Sequence, residues 1–352
     1  MTLKRSEDHK RVLLVSRPFD GKDDIAGEQI YARSLYPVLH KRFSCDKVPR
    51  LLLPARRTLL SVIVYDWLAP ACFALKNVFR RYDVVIFNSP FQSGCACLFG
   101  IPGTKRITIV NDLFFIDNGM RSLFDKYSHW IYRVGLRRSD HVVTWTEETR
   151  CELKNHLGID SEVVNIFPGP AFDVIADEFV ASKKPTLDAG YIGGYCWDRK
   201  RVGEILSLMT ACHRDGLRFH FAGNITEDYR RGIAALKLDD SAFVIHGILT
   251  DSQKVDFFRG LSFLYFPSRL EGVGLPLIEA LVAGVVPIVH HDAKLPHVPK
   301  SQCLIVDGPE EAADEIKALA GDPVRFRQLV MNNRAYAARF SAQLFADYLE
   351  QL

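Results

Sequence analysis

Two glutamates, Glu271 and Glu279, stand on either side of a short loop that contains two glycines. Pro276 favours the first turn of a helix, where its missing N–H is not needed, and a helix is predicted over 275–284. The first N–H groups of a helix have no partner within the helix and carry a partial positive charge. A glycine loop lets a phosphate group approach these donors closely. The segment therefore predicts an anion site, in particular one for a diphosphate.

The two carboxylates need partners other than the phosphates, because like charges repel each other. Hydroxyl groups on the two sides of a diphosphate are suitable partners. A nucleotide diphosphate sugar offers sugar hydroxyls on one side and ribose hydroxyls on the other. An ordinary acidic first turn of a helix is the simpler interpretation. It does not explain the loop, the proline and the preceding strand together, so the pattern favours a nucleotide-sugar site.

Short apolar runs alternate with amphipathic segments along the whole chain. In the first half, strands are predicted at 11–16, 82–90, 105–113, 140–147 and 162–170, and helices at 23–43 and 147–158. In the second half, strands are predicted at 189–195, 217–224, 241–249, 261–267 and 285–291, and helices at 201–216, 227–238, 251–260, 275–284, 309–320 and 324–351. This alternation is typical of α/β proteins, in which helices cover both faces of a parallel sheet.

The segment FPGP, residues 167–170, separates the two halves. We therefore predict two Rossmann-like, doubly wound domains that face each other across a cleft. The acceptor-side domain is expected at 1–168 and the nucleotide-sugar domain at 169–334, with a C-terminal helix at about 335–352 that packs back on the first domain. Ligands of such sheets bind beyond the carboxyl ends of the strands. The predicted strand ends carry Asn88, Ser89, Asn111 and Asp112 in the first half and Gly193, Gly194, Gly223 and Asn224 in the second.

Composition is that of an ordinary globular protein of more than one domain. The chain has 352 residues, with 48% hydrophobic and 25% charged residues. A net charge of +3 gives no reason to expect a nucleic-acid partner. The eight cysteines are scattered, which favours reduced thiols over disulfides or a structural metal site. The N-terminal segment lacks the apolar core of a signal peptide, so a cytoplasmic protein is expected.

One apolar stretch, residues 58–79, is long enough to raise the question of a membrane. Asp66 and Pro70 interrupt its middle, whereas a transmembrane helix needs about 20 apolar residues and rarely carries an unpaired acid there. Basic residues lie within and around it: Arg56, Arg57, Lys76, Arg80 and Arg81. Two interpretations stay open. Residues 55–81 form either core helices of the first domain or a peripheral surface that rests on the cytoplasmic face of an anionic membrane.

The residues 268–289, SRLEGVGLPLIEALVAGVVPIV, resemble the E-x7-E signature of the retaining glycosyltransferases of family 4, which have the GT-B fold. FAGN, VIHGILT and LSFLYFPS precede this segment in the order that the family shows. In the first half, DDIAGEQIYARSL resembles the glycine loop that follows the first strand of the family. The resemblance covers most of the chain and is more specific in the second half.

The resemblance implies a role for each matching residue. Glu271 would contact the transferred sugar near its reacting carbon, Glu279 would bind the ribose, and Lys200, with Arg199 as a second candidate, would neutralise the leaving diphosphate. Backbone N–H groups of the donor loop would come from Gly272, Val273, Gly274 and Leu275. Asn111 and Asp112 would face the transferred sugar, and Gly27, Asn88 and Ser89 would lie on the acceptor side. The implied reaction retains anomeric configuration and needs neither a metal nor another cofactor.

Two positions depart from the family pattern. Many members have an arginine where this chain has Gly194, and a histidine where it has Asn111. The leading interpretation is a hexosyltransferase that moves a sugar from a UDP- or GDP-sugar to a saccharide, or to a lipid-linked saccharide, in bacterial-type polysaccharide or glycoconjugate biosynthesis. The alternatives are a sugar-nucleotide epimerase and a non-catalytic GT-B scaffold that binds a nucleotide sugar.

Overall fold

The computed structural model describes residues 10–19, 27–49, 59–94, 102–117, 119–165, 170–194, 200–212, 216–271, 274–295 and 300–352. The chain forms two compact units. Unit 1 contains Met1–Pro168 together with Ser341–Leu352, and unit 2 contains Gly169–Phe340.

Unit 1 is built on a sheet of six parallel strands. These are β1 (Arg11–Val15), β2 (Ser44–Lys47), β3 (Val84–Phe87), β4 (Lys105–Val110), β5 (His141–Thr144) and β6 (Glu162–Val163), in the order β2-β1-β3-β4-β5-β6. The central strands are apolar and buried throughout, as expected for a parallel sheet covered on both faces. From β1 the chain builds outward to β2 on one side and then to β3 on the other, so the order reverses between β1 and β3.

The helices of unit 1 include one long, composite helical run. They are α1 (Gly27–Arg42), α2 (Leu59–Ser61), a first π-helix (Val62–Leu68), α3 (Ala69–Arg80), α4 (Phe114–Asp117), α5 (Leu123–Leu136), α6 (Glu147–Glu152) and a second π-helix (Leu153–Leu157). Residues 59–80 thus form one uninterrupted helical segment, called the apolar helix below. A capping box between Ser122 and Asp125 begins α5.

Unit 2 has a second six-stranded parallel sheet. Its strands are β7 (Asp188–Ile192), β8 (Arg218–Ala222), β9 (Phe243–Gly247), β10 (Phe263–Tyr265), β11 (Val286–His290) and β12 (Leu304–Val306), in the order β12-β11-β10-β7-β8-β9. Its helices are α7 (Asp177–Ser182), α8 (Val202–Cys212), α9 (Glu227–Ala235), α10 (Asp251–Gly260), α11 (Leu275–Val282), α12 (Pro309–Ala320) and α13 (Pro323–Ala337), with short 3-10 turns at Pro170–Val174, Asp240–Ala242 and Lys300–Gln302. The last helix, α14 (Ala342–Gln351), belongs to unit 1.

The strand order of unit 2 reverses between β10 and β7, which are neighbours in the centre of the sheet. Such a reversal leaves a crevice beyond the carboxyl ends of the two strands, because the connections on either side run in opposite directions. In unit 2 this position follows residues 192 and 265, and in unit 1 the equivalent position follows residues 15 and 87.

The predicted doubly wound parallel sheets are confirmed, and several predicted elements differ in detail. The prediction of a single helix over 324–351 is wrong. Helix α13 ends at Ala337, and Ser341 caps a separate helix, α14. β2 and β12 are short edge strands without a long apolar run, and neither was predicted. The strand predicted at 162–170 is only Glu162–Val163, and residues 166–169 lie outside the described residues.

Candidate active site

Lys200 and Glu271 meet at the reversal point of unit 2. Lys200 follows β7 and Glu271 follows β10, and their charged groups form an ion pair between Nζ and Oε1. Both residues are buried. Ser268 donates a hydrogen bond to the same Oε1 at 2.5 Å. Lys200 and Glu271 are 71 positions apart in the sequence, and they come together because β7 and β10 are adjacent in the sheet.

The backbone around Glu271 is fixed by the strand segment beside it. The Glu271 N–H donates to the carbonyl of Lys294 at 3.2 Å, and the Lys294 N–H donates to the carbonyl of Arg269 at 2.9 Å. Phe266 provides an aromatic face 5.1 Å from the Lys200 ammonium, which adds a cation–π contact. The carboxylate and the ammonium are therefore held in place by neighbouring side chains and by the backbone.

Two glycines open the strand ends next to this pair. Gly193 follows β7 with φ of 153°, and Gly223 follows β8 with φ of 115°. A Cβ atom at Gly223 would lie 2.1 Å from the Gly193 carbonyl oxygen, so a side chain there would collide with the backbone. A Cβ at Gly194 would meet nothing within 4 Å, and Asn224 is exposed. These strand ends thus present backbone rather than bulky side chains.

The helix predicted to bind the diphosphate begins where the sequence placed it. Gly274 is the N-cap of α11 in the left-handed conformation, with φ of 69°, and Leu275 is the first helical residue. The Leu277 N–H donates to the Gly274 carbonyl at 2.9 Å. Arg199, Gly272 and Val273, which were predicted to bind the donor, lie outside the described residues.

Glu279 lies on α11 and is 2% exposed. Lys254 of α10 places its Nζ 2.5 Å from Glu279 Oε1, so the two form a second ion pair in unit 2. Burial raises the pKa of Glu279, and the neighbouring Lys254 acts against this by lowering it. Lys254 was not predicted, and no local pattern identifies it, because the contact depends on the packing of two helices.

Arg201 is a further cation that sequence reasoning missed. It pairs with Asp292, which follows β11, and with Glu204 at 3.7 Å. The Arg201 guanidinium donates a hydrogen bond to the Asp292 carboxylate, which lowers the pKa of Asp292 and raises the pKa of Arg201. Its Nη1 is buried without a hydrogen-bond partner among the described residues.

In unit 1, the residues predicted on the acceptor side cluster at the reversal point between β1 and β3. Asn88 follows β3 and donates through Nδ2 to the Glu28 carbonyl at 2.6 Å and to Ser16 Oγ at 3.3 Å. Ser89 accepts a hydrogen bond from the Phe91 N–H at 3.4 Å. Both side chains are buried and hold the turn and the start of α1, where Gly27 is the first residue.

Asn111 and Asp112 follow β4 and are partly exposed. The Trp145 indole donates to Asn111 Oδ1 at 2.6 Å. Trp145 is itself fully buried and stacks on Tyr31 at 5.3 Å between ring centres. The oxygen of Asn111 is thus engaged inside unit 1, and the side chain's amide nitrogen is the group left to meet a ligand.

Within the described parts of the chain, no group of three or more His, Cys, Asp and Glu side chains could hold a metal ion. Among these same residues, one helix, Val62–Phe79, is long and apolar enough to cross a membrane by length and composition, and 33% of it is buried.

The two halves of the chain match models of known families. The model described as Glycosyltransferase Family 4 matches residues 26–170, and the model described as Glycosyl transferases group 1 matches residues 186–322. Together these ranges cover most of the chain. No curated protein matches it.

Solved structures with the same fold span both units. The sucrose-phosphate synthase of Thermosynechococcus elongatus is similar with a TM-score of 0.77 and 15% identity, over 97% of this chain and 98% of that one. HepE of Anabaena, in complex with UDP and glucose, has a TM-score of 0.68 and 12% identity, over 98% and 100%. WaaG, a glycosyltransferase involved in lipopolysaccharide biosynthesis, has a TM-score of 0.62 and 12% identity, over 93% and 95%. The chain therefore belongs to the family 4-like glycosyltransferases with the GT-B fold.

Proposed function

We propose that this glycosyltransferase moves a sugar, with retention of anomeric configuration, from a UDP- or GDP-sugar to a saccharide acceptor. The observation that carries the proposal is the Lys200–Glu271 pair at the reversal point of unit 2. A cation beside a carboxylate, next to glycine strand ends and the start of α11, matches a diphosphate that is attached to a hydroxylated sugar.

In the proposed reaction, the bond between the anomeric carbon and the diphosphate oxygen breaks. Negative charge develops on the leaving phosphate, and Lys200 stabilises it. The acceptor hydroxyl attacks from the same face, and its proton passes to the leaving phosphate oxygen. Glu271 accepts hydrogen bonds from the sugar hydroxyls and orients the reacting carbon. The products are the glycosylated acceptor and a nucleoside diphosphate.

We further propose that the reaction needs no divalent metal, because Lys200 supplies the charge that a metal would otherwise provide. Activity is then expected to be unchanged in excess EDTA. Loss of activity in EDTA, with recovery on adding Mg²⁺ or Mn²⁺, would contradict this part of the proposal.

UDP is the first nucleotide to test, since HepE is described in complex with UDP and glucose, and TarM of S. aureus with UDP. The test is saturation-transfer NMR with UDP-, GDP- and dTDP-sugars, followed over hours without an acceptor. Selective binding with slow release of free nucleotide supports a working transferase. Binding without release favours a non-catalytic scaffold, or an acceptor that must be added. If no member of the panel binds, the proposal is wrong.

We propose that the acceptor is presented at an anionic membrane, and that the apolar helix of unit 1 contacts it. The exposed side chains of this helix form an apolar stripe, which contains Leu60, Ile63, Leu68, Leu75, Val78 and Phe79. Three of its polar side chains, Ser61, Asp66 and Asn77, are buried instead, and Lys76 is partly exposed. A helix in water normally has the opposite arrangement. The Phe79 side chain is 88% exposed, and an apolar ring in this position favours contact with an apolar environment outside the protein.

Helix α5 extends the same apolar surface. Trp67 of the apolar helix stacks on Trp130 of α5 at 6.4 Å, and its indole donates to the Tyr127 hydroxyl at 3.0 Å. Leu123 at the start of α5 is 85% exposed. Exposed cations lie on α5 or next to the ends of the two helices: Arg81, Arg121, Lys126 and Arg133. Apolar and aromatic groups bordered by cations are suited to the interface of a membrane with anionic lipids.

A further inference from the structure

Lys254 and Glu279 form an ion pair, and the proposed reaction assigns no role to its lysine. Glu279 is nearly inaccessible, while the Lys254 side chain remains 16% exposed. Lys254 reaches Glu279 from α10, across from α11, and its ammonium lies 5.9 Å from the centre of the Phe172 ring. The exposed part of the pair therefore belongs to the lysine.

An ammonium beside a carboxylate presents a donor and an acceptor about one hydrogen-bond length apart. Two adjacent hydroxyl groups need the same combination, because each hydroxyl both donates and accepts hydrogen bonds. A single carboxylate can accept from both hydroxyls, but it leaves their oxygens without a charged donor. The pair is thus a better match for a vicinal diol than Glu279 alone.

We propose that Lys254 is a nucleotide-binding residue that, together with Glu279, binds the two hydroxyls of the ribose. This rests on the proposed function, in which Glu279 faces the ribose. In the bound state one ribose hydroxyl donates to Glu279 and an oxygen of the diol accepts from Lys254. Lys254 also opposes the effect of burial on Glu279 and favours its ionised form, which is the form that accepts these bonds.

Charged groups reach Glu279 or its helix from three elements. Lys183, which follows α7, donates through Nζ to the Ala283 carbonyl at 3.1 Å, just beyond α11. On α10, Lys254 lowers the pKa of Glu279, and Asp251 raises it. From α13, Arg334 donates to the Val282 carbonyl at 2.8 Å, at the far end of α11. Lys254 is therefore the described cation whose removal should change the ionisation of Glu279 most.

The first test is calorimetric titration of the full chain with UDP and, in parallel, with GDP. Lys254→Met should weaken binding of the preferred nucleotide about 10- to 100-fold, the usual effect of losing one hydrogen bond to a charged group. Lys254→Arg keeps the charge and should restore most of the affinity. Lys184→Met, at an exposed lysine of the same unit, is the matched control and should bind as the wild type does.

The second test removes the diol from the ligand instead. With the 2′,3′-dideoxy form of the same nucleotide, Lys254→Met should change the affinity by less than about twofold, because the interacting hydroxyls are absent. An equal loss for the normal and the dideoxy nucleotide would show that Lys254 does not act through the ribose, and would overturn the proposal.

The third test is the pH dependence of the same affinity. Without Lys254, the pKa of Glu279 rises further, so its carboxyl becomes neutral at a higher pH than in the wild type. The affinity of Lys254→Met relative to wild type should then fall as the pH is lowered and recover as the pH rises. Titration of the terminal phosphate affects both proteins and cancels in the ratio. A ratio that does not change with pH contradicts the role in ionisation.

If Lys254→Met does not fold, because it leaves Glu279 unpaired, the double variant Lys254→Met with Glu279→Gln removes both charges. It should fold, bind weakly and show no such pH dependence. Wild-type affinity in Lys254→Met or in the double variant overturns this proposal alone. If neither UDP nor GDP binds the wild type, the proposed function fails with it.

Discussion

At the scale of single residues, two buried carboxylates of unit 2 are each paired with a lysine. Lys200 is paired with Glu271, and Lys254 with Glu279. In the proposed reaction, the donor diphosphate replaces Glu271 as the partner of Lys200, and the sugar hydroxyls donate hydrogen bonds to Glu271. This exchange keeps every buried charge paired before and after binding, which avoids the large cost of an isolated buried charge.

The exchange predicts different effects for the two members of the pair. Glu271→Ala should lower turnover by at least about 100-fold, because the reacting sugar loses its orienting carboxylate. Lys200→Ala should both raise KM for the donor and lower kcat, because it removes the partner of the leaving diphosphate. The rate of nucleotide release from the preferred donor sugar, followed without an acceptor, provides the measurement. Glu227→Ala, at an exposed acid of the same unit, is the control, and near wild-type rates in both site variants would refute the assignment.

Gly223, at the end of β8, has no room for a side chain. Gly223→Ala places a methyl group against the Gly193 carbonyl and strains a backbone with φ of 115°. We expect a loss of about 1–3 kcal/mol in the free energy of unfolding, measured by urea denaturation. Gly260→Ala serves as control, because a Cβ there meets nothing within 4 Å. Equal stability of the two variants would contradict the close approach of the strand ends.

The sequence identified residues by type and spacing but not their partners. Glu271 and Glu279 were found because a glycine loop and a helix start leave a local pattern, whereas Lys200 was named only from the family resemblance. The Lys254–Glu279 and Trp145–Asn111 contacts join residues that are distant in sequence, and their positions follow from strand order and helix packing. No periodicity within a segment contains that information.

At the scale of elements, the apolar helix is held to unit 1 by polar contacts. Arg17, which follows β1, donates to Asp66 through Nε at 3.1 Å and through Nη2 at 2.7 Å. Gln92 also donates to Asp66, at 3.2 Å. The helix thus turns its acid toward the reversal point of unit 1 and its apolar stripe outward.

This arrangement predicts membrane binding that depends on the stripe. The double variant Leu75→Glu with Phe79→Glu should lose co-sedimentation with vesicles that contain phosphatidylglycerol, because charged groups resist entry into the interface. Its stability in urea should stay within about 1 kcal/mol of wild type, since both side chains are exposed. Val324→Glu, at an 81% exposed position of unit 2, is the control. Unchanged sedimentation of the double variant would exclude the stripe as the contact.

The buried Arg17–Asp66 pair predicts a large change in stability, in contrast to the exposed side chains of the stripe. Asp66→Leu should lower the free energy of unfolding by about 3–5 kcal/mol, because it leaves Arg17 buried without its main partner. Arg17→Met in the same chain should recover much of this loss. Urea denaturation of the single and double variants measures both. A single variant as stable as wild type would show that the pair does not hold the helix.

Elements with long apolar runs were predicted from the sequence, and short edge elements were not. The central strands of both sheets are apolar and buried on both faces, so their runs are evident. β2, with the sequence SCDK, lies at a sheet edge and needs no such run. Helix α5 was also missed, although its capping box leaves a local signal at Ser122 and Asp125.

At the scale of the whole molecule, α14 completes unit 1 from the far end of the chain. Phe345 packs against Trp145 with ring centres 5.9 Å apart, and Lys10 donates to the Leu349 carbonyl at 3.1 Å. Arg42 of α1 pairs with Asp347 at 2.5 Å. Unit 1 is therefore discontinuous in sequence, whereas unit 2 is one continuous stretch.

The docking of α14 predicts a large effect from a single C-terminal residue. Phe345→Ala should lower the free energy of unfolding by about 3–5 kcal/mol, because it leaves a cavity next to Trp145. Leu344→Ala, one residue earlier and 40% exposed, should cost less than about 1 kcal/mol. Chemical denaturation followed by circular dichroism compares the two. Similar stabilities would contradict the packing of α14 on unit 1.

The return of α14 has a consequence for biosynthesis. Chains fold from the N-terminus as they leave the ribosome, at about 5–20 residues per second. Unit 1 is synthesised first, but it lacks its last helix until all of unit 2 has been made. During that interval the surface that α14 later covers, around Trp145 and Tyr31, is open to chaperones and to other nascent chains. Unit 2 can complete its core earlier, so the half of the protein that is translated second is expected to reach its native state first.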